Sequence, residues 1–147
     1  MQVVSVTDDE ATFILRLKLC LTKAGIPVSG FKGFSDSDSF IEAFMADKAS
    51  GGHGIIFLDI NIKGSKLDGF GILQELRQKL NGTPIIAIIS TSSRKEEVER
   101  ARSLRADCYI VKSGSLPLFS QRMIDFKADF VDQRIKEFKV YGAEEVS

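Results

Sequence analysis

The run Gly54-Ile55-Ile56-Phe57-Leu58-Asp59-Ile60-Asn61 constrains the fold of this chain more than any other stretch. Large apolar residues follow one another from Ile55 to Leu58 without polar alternation, which predicts a strand covered on both faces, as the central strands of parallel sheets are. The run stops abruptly at a carboxylate, placing Asp59 at the carboxyl end of a core strand. In open α/β sheets that end is where ligands bind. Taken singly, such an acid is more often a turn or helix-capping residue, so the rest of the chain decides.

Val3 to Thr7 reads as a first strand that stops at Asp8-Asp9, with Glu10 next; these acids are expected to cap the following helix. That helix carries Phe13, Ile14, Leu17, Leu21 and Ala24 at helical spacing, and Gly25 followed by Pro27 stops it. Pro27 to Phe34, interrupted by glycines, predicts a weaker strand near a sheet edge. Ser35 to Ala49 predicts a helix with Phe40, Ile41, Phe44 and Met45 inward, ended by Ser50-Gly51-Gly52, with the single histidine, His53, in an exposed loop. After the Asp59 strand, Asp68 opens a helix with a core face of Phe70, Leu73, Leu76 and Leu80, closed by Asn81-Gly82. Pro84 to Ile89 is a second continuous apolar run, ending in the hydroxyl cluster Ser90-Thr91-Ser92-Ser93. Ser93 and Glu96 have capping-box spacing, and the thin stripe of Val98, Ala101 and Leu104 predicts a loosely held helix. Cys108 to Val111 is the fifth strand, ending at Lys112, and a long last helix is expected over about 115–141.

Five strands alternating with helices through short loops predict an α/β fold: a doubly wound five-stranded parallel sheet of flavodoxin-like order 2-1-3-4-5 with helices on both faces. A chain of 147 residues fits one domain, 1–147, with a core over about 1–130. Formal net charge is zero with 27% charged residues, which gives no electrostatic reason for nucleic-acid or membrane partners. Cys20 and Cys108 sit in separate apolar runs, as buried free thiols do, and no run approaches membrane-spanning length. A cytoplasmic location is the expectation. Apolar Val131, Ile135 and Phe138 exceed what such a sheet should cover, so the end of the last helix is expected to meet a second subunit or a partner.

In that order of strands, Asp8 and Asp9, Asp59, Ser90 and Lys112 converge at one edge. Clustered carboxylates repel one another, and a hard divalent cation with oxygen ligands, Mg²⁺ or Mn²⁺, relieves this. A cation, a lysine and a hydroxyl around one carboxylate form a receptor for a phosphoryl group, with the carboxylate as nucleophile. A purely structural acidic rim is the other reading of the same residues. An aspartate-nucleophile phosphatase would want a second acid where Asn61 stands, and at a flavodoxin's phosphate site Asp8-Asp9 would repel the ligand.

Asp8-Asp9 after the first strand, the apolar run into Asp59, Ser90 after the fourth strand and Ile110-Val111-Lys112 at the fifth resemble the receiver domains of two-component response regulators, CheY-like proteins, over about residues 1–130. The resemblance implies that Asp59 accepts a phosphoryl group from a histidine kinase or phosphotransfer protein and loses it by self-dephosphorylation, unlike a conventional enzyme. It implies that Asp9 binds Mg²⁺ directly, Asp8 largely through water, that Asp59 is a further ligand, and that the Asn61 backbone carbonyl completes the set. Ser90 takes the place of the switch hydroxyl, Tyr109 that of the rotating aromatic and Lys112 that of the phosphate-contacting lysine, with a downstream protein target as output. Three features depart from the family pattern. Ser113 replaces the usual proline after the lysine, so a trans bond and a shifted loop are expected. The loop from Asp59 to Gly69 is about two residues longer by this resemblance, and Thr91 stands where a smaller residue is usual. These departures motivate the alternative of a degenerate receiver that binds partners without turning over phosphate.

Overall fold

The computed structural model describes residues 3–47, 53–79 and 84–147. Strands β1 (Val3–Thr7), β2 (Phe31–Phe34), β3 (His53–Asp59), β4 (Ile85–Ser90), β5 (Cys108–Val111) and β6 (Lys139–Tyr141) form one sheet of order β2-β1-β3-β4-β5-β6, all pairs parallel. Helices α1 (Ala11–Lys23), α2 (Ser37–Asp47), α3 (Gly69–Lys79), α4 (Lys95–Ser103) and α5 (Leu116–Phe126) connect them. The expected doubly wound order is present, extended by a sixth strand at the β5 edge.

Alternation along the strands builds two cores. Val4, Val6, Ile55, Phe57, Ala87, Ile89 and Ile110 point to the face covered by Leu17 and Leu21 of α1 and Phe119, Met123 and Phe126 of α5. Ile56, Leu58, Ile86, Ile88, Tyr109 and Val111 point to the opposite face, under Phe40 and Phe44 of α2, Phe70 and Leu73 of α3, and Val98 and Ala101 of α4. β3 and β4 contribute to both, which is why their sequences show no polar alternation. β2 lies at the sheet edge, as its glycines suggested. Met45 is exposed rather than inward, and His53 opens β3 rather than lying in a loop. The expected helix stops at Ser50-Gly51-Gly52 and Asn81-Gly82, with Leu80, fall outside the described residues.

The long last helix expected over about 115–141 is not formed. α5 ends at Phe126, one π-helical turn covers Lys127–Val131, and the chain then doubles back to lay β6 beside β5. The physical reason lies in what each conformation buries. A straight helix would carry Val131, Ile135, Phe138 and Tyr141 into solvent and leave the β5 edge unpaired. Doubled back, Val131, Ile135 and Tyr141 join the α1/α5 core, while Phe138 and Val140 join the other. The apolar excess is absorbed within the chain, so the homodimer expected through this helix loses its structural basis.

Candidate functional site

β1 is hydrogen-bonded on both sides, to β2 and β3, so Asp8 emerges from the sheet in a fixed direction and is fully buried. Its Oδ1 accepts from the Glu10 backbone N–H at 2.9 Å, and its Oδ2 accepts from Lys112 Nζ at 2.8 Å. Asp9 reaches across to the loop after β3, where its Oδ2 accepts from the Lys63 N–H at 3.1 Å. Asp59, the last residue of β3, is 5% exposed, and its Oδ2 lies 3.7 Å from the same Lys112 ammonium. Lys112 thus bridges the two buried carboxylates. Its Nζ also sits 3.9 Å from the centre of the Phe13 ring, a cation–π contact that fixes it from the α1 side.

Burial pushes the Asp59 carboxyl up to about 7; the Lys112 ammonium opposes this, the Asp8 and Asp9 charges add to it, and the Asn61 backbone N–H opposes it. A carboxylate so destabilised is poised to gain from any added positive charge. Asp8, Asp9 and Glu10 place carboxylate oxygens within 4.8 Å of one another, a donor set of hard oxygens that fits a divalent cation. Glu10 is the residue that sequence reasoning missed as a candidate ligand. Its place before α1 suits a cap, yet its side chain makes no capping bond. Asp59 stands outside this trio and joins it through Lys112, while Asn61 is exposed and meets Asp59 through its backbone N–H.

The strand that carries Lys112 is tied to its neighbour at the site, with the Lys112 N–H donating to the Ser90 carbonyl at 2.7 Å. The loop beyond holds its shape without proline. Arg16 Nη2 donates to the Gly114 carbonyl at 2.6 Å, and Ser115 Oγ caps α5 by accepting from the Leu118 N–H. No peptide bond among the described residues is cis, and Lys112 still reaches both acids. A cleft of about 250 Å³ opens beside Lys112, lined by Glu10, Phe13, Arg16, Thr91 and Ser113 among others. Thr91 is exposed at this cleft.

The loop after Asp59 is held by its own contacts. Ile60 and Ile62 are buried, and Ser37 and Ser65 clamp it: Ser37 N–H donates to Ser65 Oγ at 2.8 Å and Leu67 N–H to Ser37 Oγ at 3.1 Å. Gly69 lets α3 start against the end of β3, since a Cβ there would lie 2.2 Å from the Asp59 carbonyl oxygen.

Ser90 and Tyr109 meet at one residue. Ser90 Oγ accepts from the Ser92 N–H at 3.1 Å, and the Tyr109 hydroxyl donates to the Ser92 carbonyl at 2.8 Å, its ring fully buried. The expected Ser93 and Glu96 pair does not cap α4, whose N-cap position is Arg94 with no side-chain capping bond. Ser92 Oγ accepts from the Arg94 N–H and donates to Glu97, so one serine anchors both the helix and the Tyr109 hydroxyl.

Against known proteins, the model of the response regulator receiver domain matches residues 4–123. Among solved structures, the phosphorylated cyanobacterial phytochrome response regulator RcpA superposes with a TM-score of 0.74 at 21% identity, covering 88% of this chain and 94% of that one. The Mn²⁺-bound form of response regulator Rcp1 gives 0.67 at 18%, covering 93% and 99%. The CheX–CheY complex with BeF3 and Mg²⁺ from Borrelia burgdorferi gives 0.66 at 21%, covering 85% and 88%. No curated protein matches the sequence. At these identities the structural likeness establishes the fold, and the family match spans most of the chain. The chain belongs to the response regulator receiver domain family of two-component signalling.

Proposed function

We propose that this receiver accepts a phosphoryl group on Asp59, with Lys112 and a divalent cation held by Asp8 and Asp9 offsetting the charge. The observation that carries this reading is the single ammonium shared by the buried Asp8 and Asp59 carboxylates, at 2.8 and 3.7 Å. The carboxyl ends of the strands, beside an open cleft, are where ligands bind in such sheets. RcpA is known in a phosphorylated form, Rcp1 with Mn²⁺ and a CheY with Mg²⁺, which favours the same chemistry here.

The chemistry follows from the residues. Asp59 attacks phosphorus with a carboxylate oxygen, and the bond from phosphorus to the donor breaks with its electron pair leaving on the donor. For a histidine kinase or phosphotransfer protein the leaving group is an imidazole, which takes a proton. Lys112, already between the acids, turns toward the transferred oxygens and so exchanges a carboxylate contact for a phosphoryl one. Mg²⁺ or Mn²⁺, when bound, supplies Lewis-acid stabilisation of those oxygens. Asp9 and Asp8 are the residues to hold it, Glu10 lies within reach of the same ion, and the Asn61 carbonyl is a fourth candidate. Ser90 Oγ then gains a phosphoryl oxygen as a partner and gives up the Ser92 N–H, which loosens the acceptor of the Tyr109 hydroxyl. The switch is thus a local hydrogen-bond exchange.

Incubation with acetyl phosphate and Mg²⁺ tests this by intact mass. One added phosphoryl group, absent in Asp59→Asn and absent with chelator, is the expected result. No uptake by the wild-type chain, with partner binding intact, would instead identify a degenerate receiver that works as a binding module.

A further inference from the structure

The chain beyond α5 is fastened across the outer edge of β5 at both of its flanks. On the α5 flank stands Arg122, a buried guanidinium fixed by donation from Nη1 to the Val111 carbonyl at 2.6 Å. Its Nη2 is paired with Glu144 at 3.1 Å and with Glu145, both on the short helical turn after β6. Gly142, at φ +93°, lets the chain pass directly over this group; a Cβ there would lie 2.9 Å from Arg122 Cζ. On the α4 flank, Arg102 lies over the Phe138 ring at 5.0 Å. At the far end the Ser147 N–H donates to the Ser93 carbonyl and the Lys95 N–H donates to the Ser147 carbonyl, each at 3.1 Å.

The last pair matters most, because Ser93 is the neighbour of Ser92, whose N–H and carbonyl hold Ser90 and Tyr109. We propose that residues 139–147 form a clasp over the β5 edge whose closure is coupled to the β4–α4 loop, and that it opens when Ser90 leaves Ser92 for the phosphoryl group. This rests on the reading of Asp59 given above.

The clasp is built to be released. β6 has three residues, of which Tyr141 alone is buried; Val140 and Val146 pack only partly against the core, Lys139 and Tyr141 both bond Asp129, and Ala143, Glu144, Glu145 and Ser147 are exposed. Segments with few buried apolar contacts and exposed backbone hydrogen bonds open at a small fraction of the global unfolding free energy. Its hold on the loop consists of two backbone hydrogen bonds, one to the Ser93 carbonyl and one from the Lys95 N–H, so a shift of the loop that carries both residues loosens both. Coupling must run both ways: whatever loosens the clasp also favours the loop position that phosphorylation selects.

Residue-resolved amide exchange on the full chain tests this in two arms. In the unphosphorylated protein, Glu144→Gln with Glu145→Gln removes the charged partners of Arg122 at exposed positions that leave the core untouched. The amides of Ser147 and Lys95 are expected to exchange about tenfold faster, with β1 and β3 unchanged. Unaltered exchange at Lys95 would show that clasp and loop are independent and overturn the proposal. In the second arm, acetyl phosphate and Mg²⁺ are added and intact mass records occupancy. The phosphorylated chain is expected to lose protection at Lys95, Ser147 and β6 together, and the double variant to take up phosphoryl faster than wild type. A chain that is phosphorylated yet keeps these amides protected contradicts the clasp and leaves Asp59 as the acceptor. A chain that takes no phosphoryl overturns the Asp59 reading and removes the trigger, and the first arm still decides whether clasp and loop are coupled.

Discussion

Two buried cations at the carboxyl end of β5, Lys112 and Arg122, are held by opposite means. At the site, Lys112 is 6% exposed in its side chain and pairs with Asp8 and Asp59 at 0% and 7%. At the clasp, Arg122 is 7% exposed, but its partners Glu144 and Glu145 are 70% and 45% exposed. One cation has buried partners and the other has wet ones. Removing one member of a buried pair strands a charge in low dielectric, whereas an exposed partner is readily replaced by water. The site is therefore rigid and unforgiving, while the clasp can let go without unfolding the domain.

This contrast is broken most severely at Lys112. Lys112→Met leaves Asp8 buried without its ammonium and is expected to destabilise the chain by about 3–5 kcal/mol in urea unfolding. A loss near that of a surface pair, under about 1 kcal/mol, would mean that the site is far wetter than its burial implies.

The next effect has the opposite sign. Asp59 has a folded-state pKa of about 7 against an ordinary 3.8, so the folded chain binds the extra proton. Stability is full below about pH 4, falls as the pH rises toward 7, and is flat above it. Asp59→Asn, neutral throughout, escapes this loss. In chelator it is expected to be more stable than wild type by about 1–3 kcal/mol at pH 8, with the gap closing as pH falls to about 4. A gap that does not depend on pH would contradict the raised pKa.

At the clasp, Gly142→Ala forces a side chain into a left-handed backbone position and against Arg122, at an expected cost of about 1–2 kcal/mol. Calorimetry should show this, with faster exchange at β6, the tail and the Lys95 amide that the tail holds. Smallest is Tyr109→Phe, which removes the hydroxyl bond to the Ser92 carbonyl and should cost about 1 kcal/mol. A much larger loss would make that bond a principal support of α4, through Ser92.

The same contrast explains what could be read from the sequence. β3 and β4 announce themselves because burial on both faces demands continuous apolar runs, and the acids, hydroxyl and lysine mark where those runs end. Strand order then brings Asp8, Asp59, Ser90 and Lys112 together with no long-range information beyond the alternation of elements. Glu10 was hidden by position, since an acid before a helix is ordinarily a cap. The segment after Phe130 is ambiguous in sequence because Val131, Ile135 and Phe138 keep a helical spacing while Val140-Tyr141 suits a strand. Local pattern cannot separate the two there. What decides is the unpaired β5 edge and the buried Arg122, both distant in sequence and visible only after folding.

Whether Asp59 carries the phosphoryl group is tested most directly by locating that group chemically. After phosphorylation with acetyl phosphate and Mg²⁺, borohydride reduction converts an aspartyl phosphate to homoserine, which peptide mass spectrometry places in the chain. Homoserine at position 59 and at no other aspartate is the expected result. Homoserine at position 8 or 9, or phosphorylation without any reducible acyl phosphate, would contradict the account.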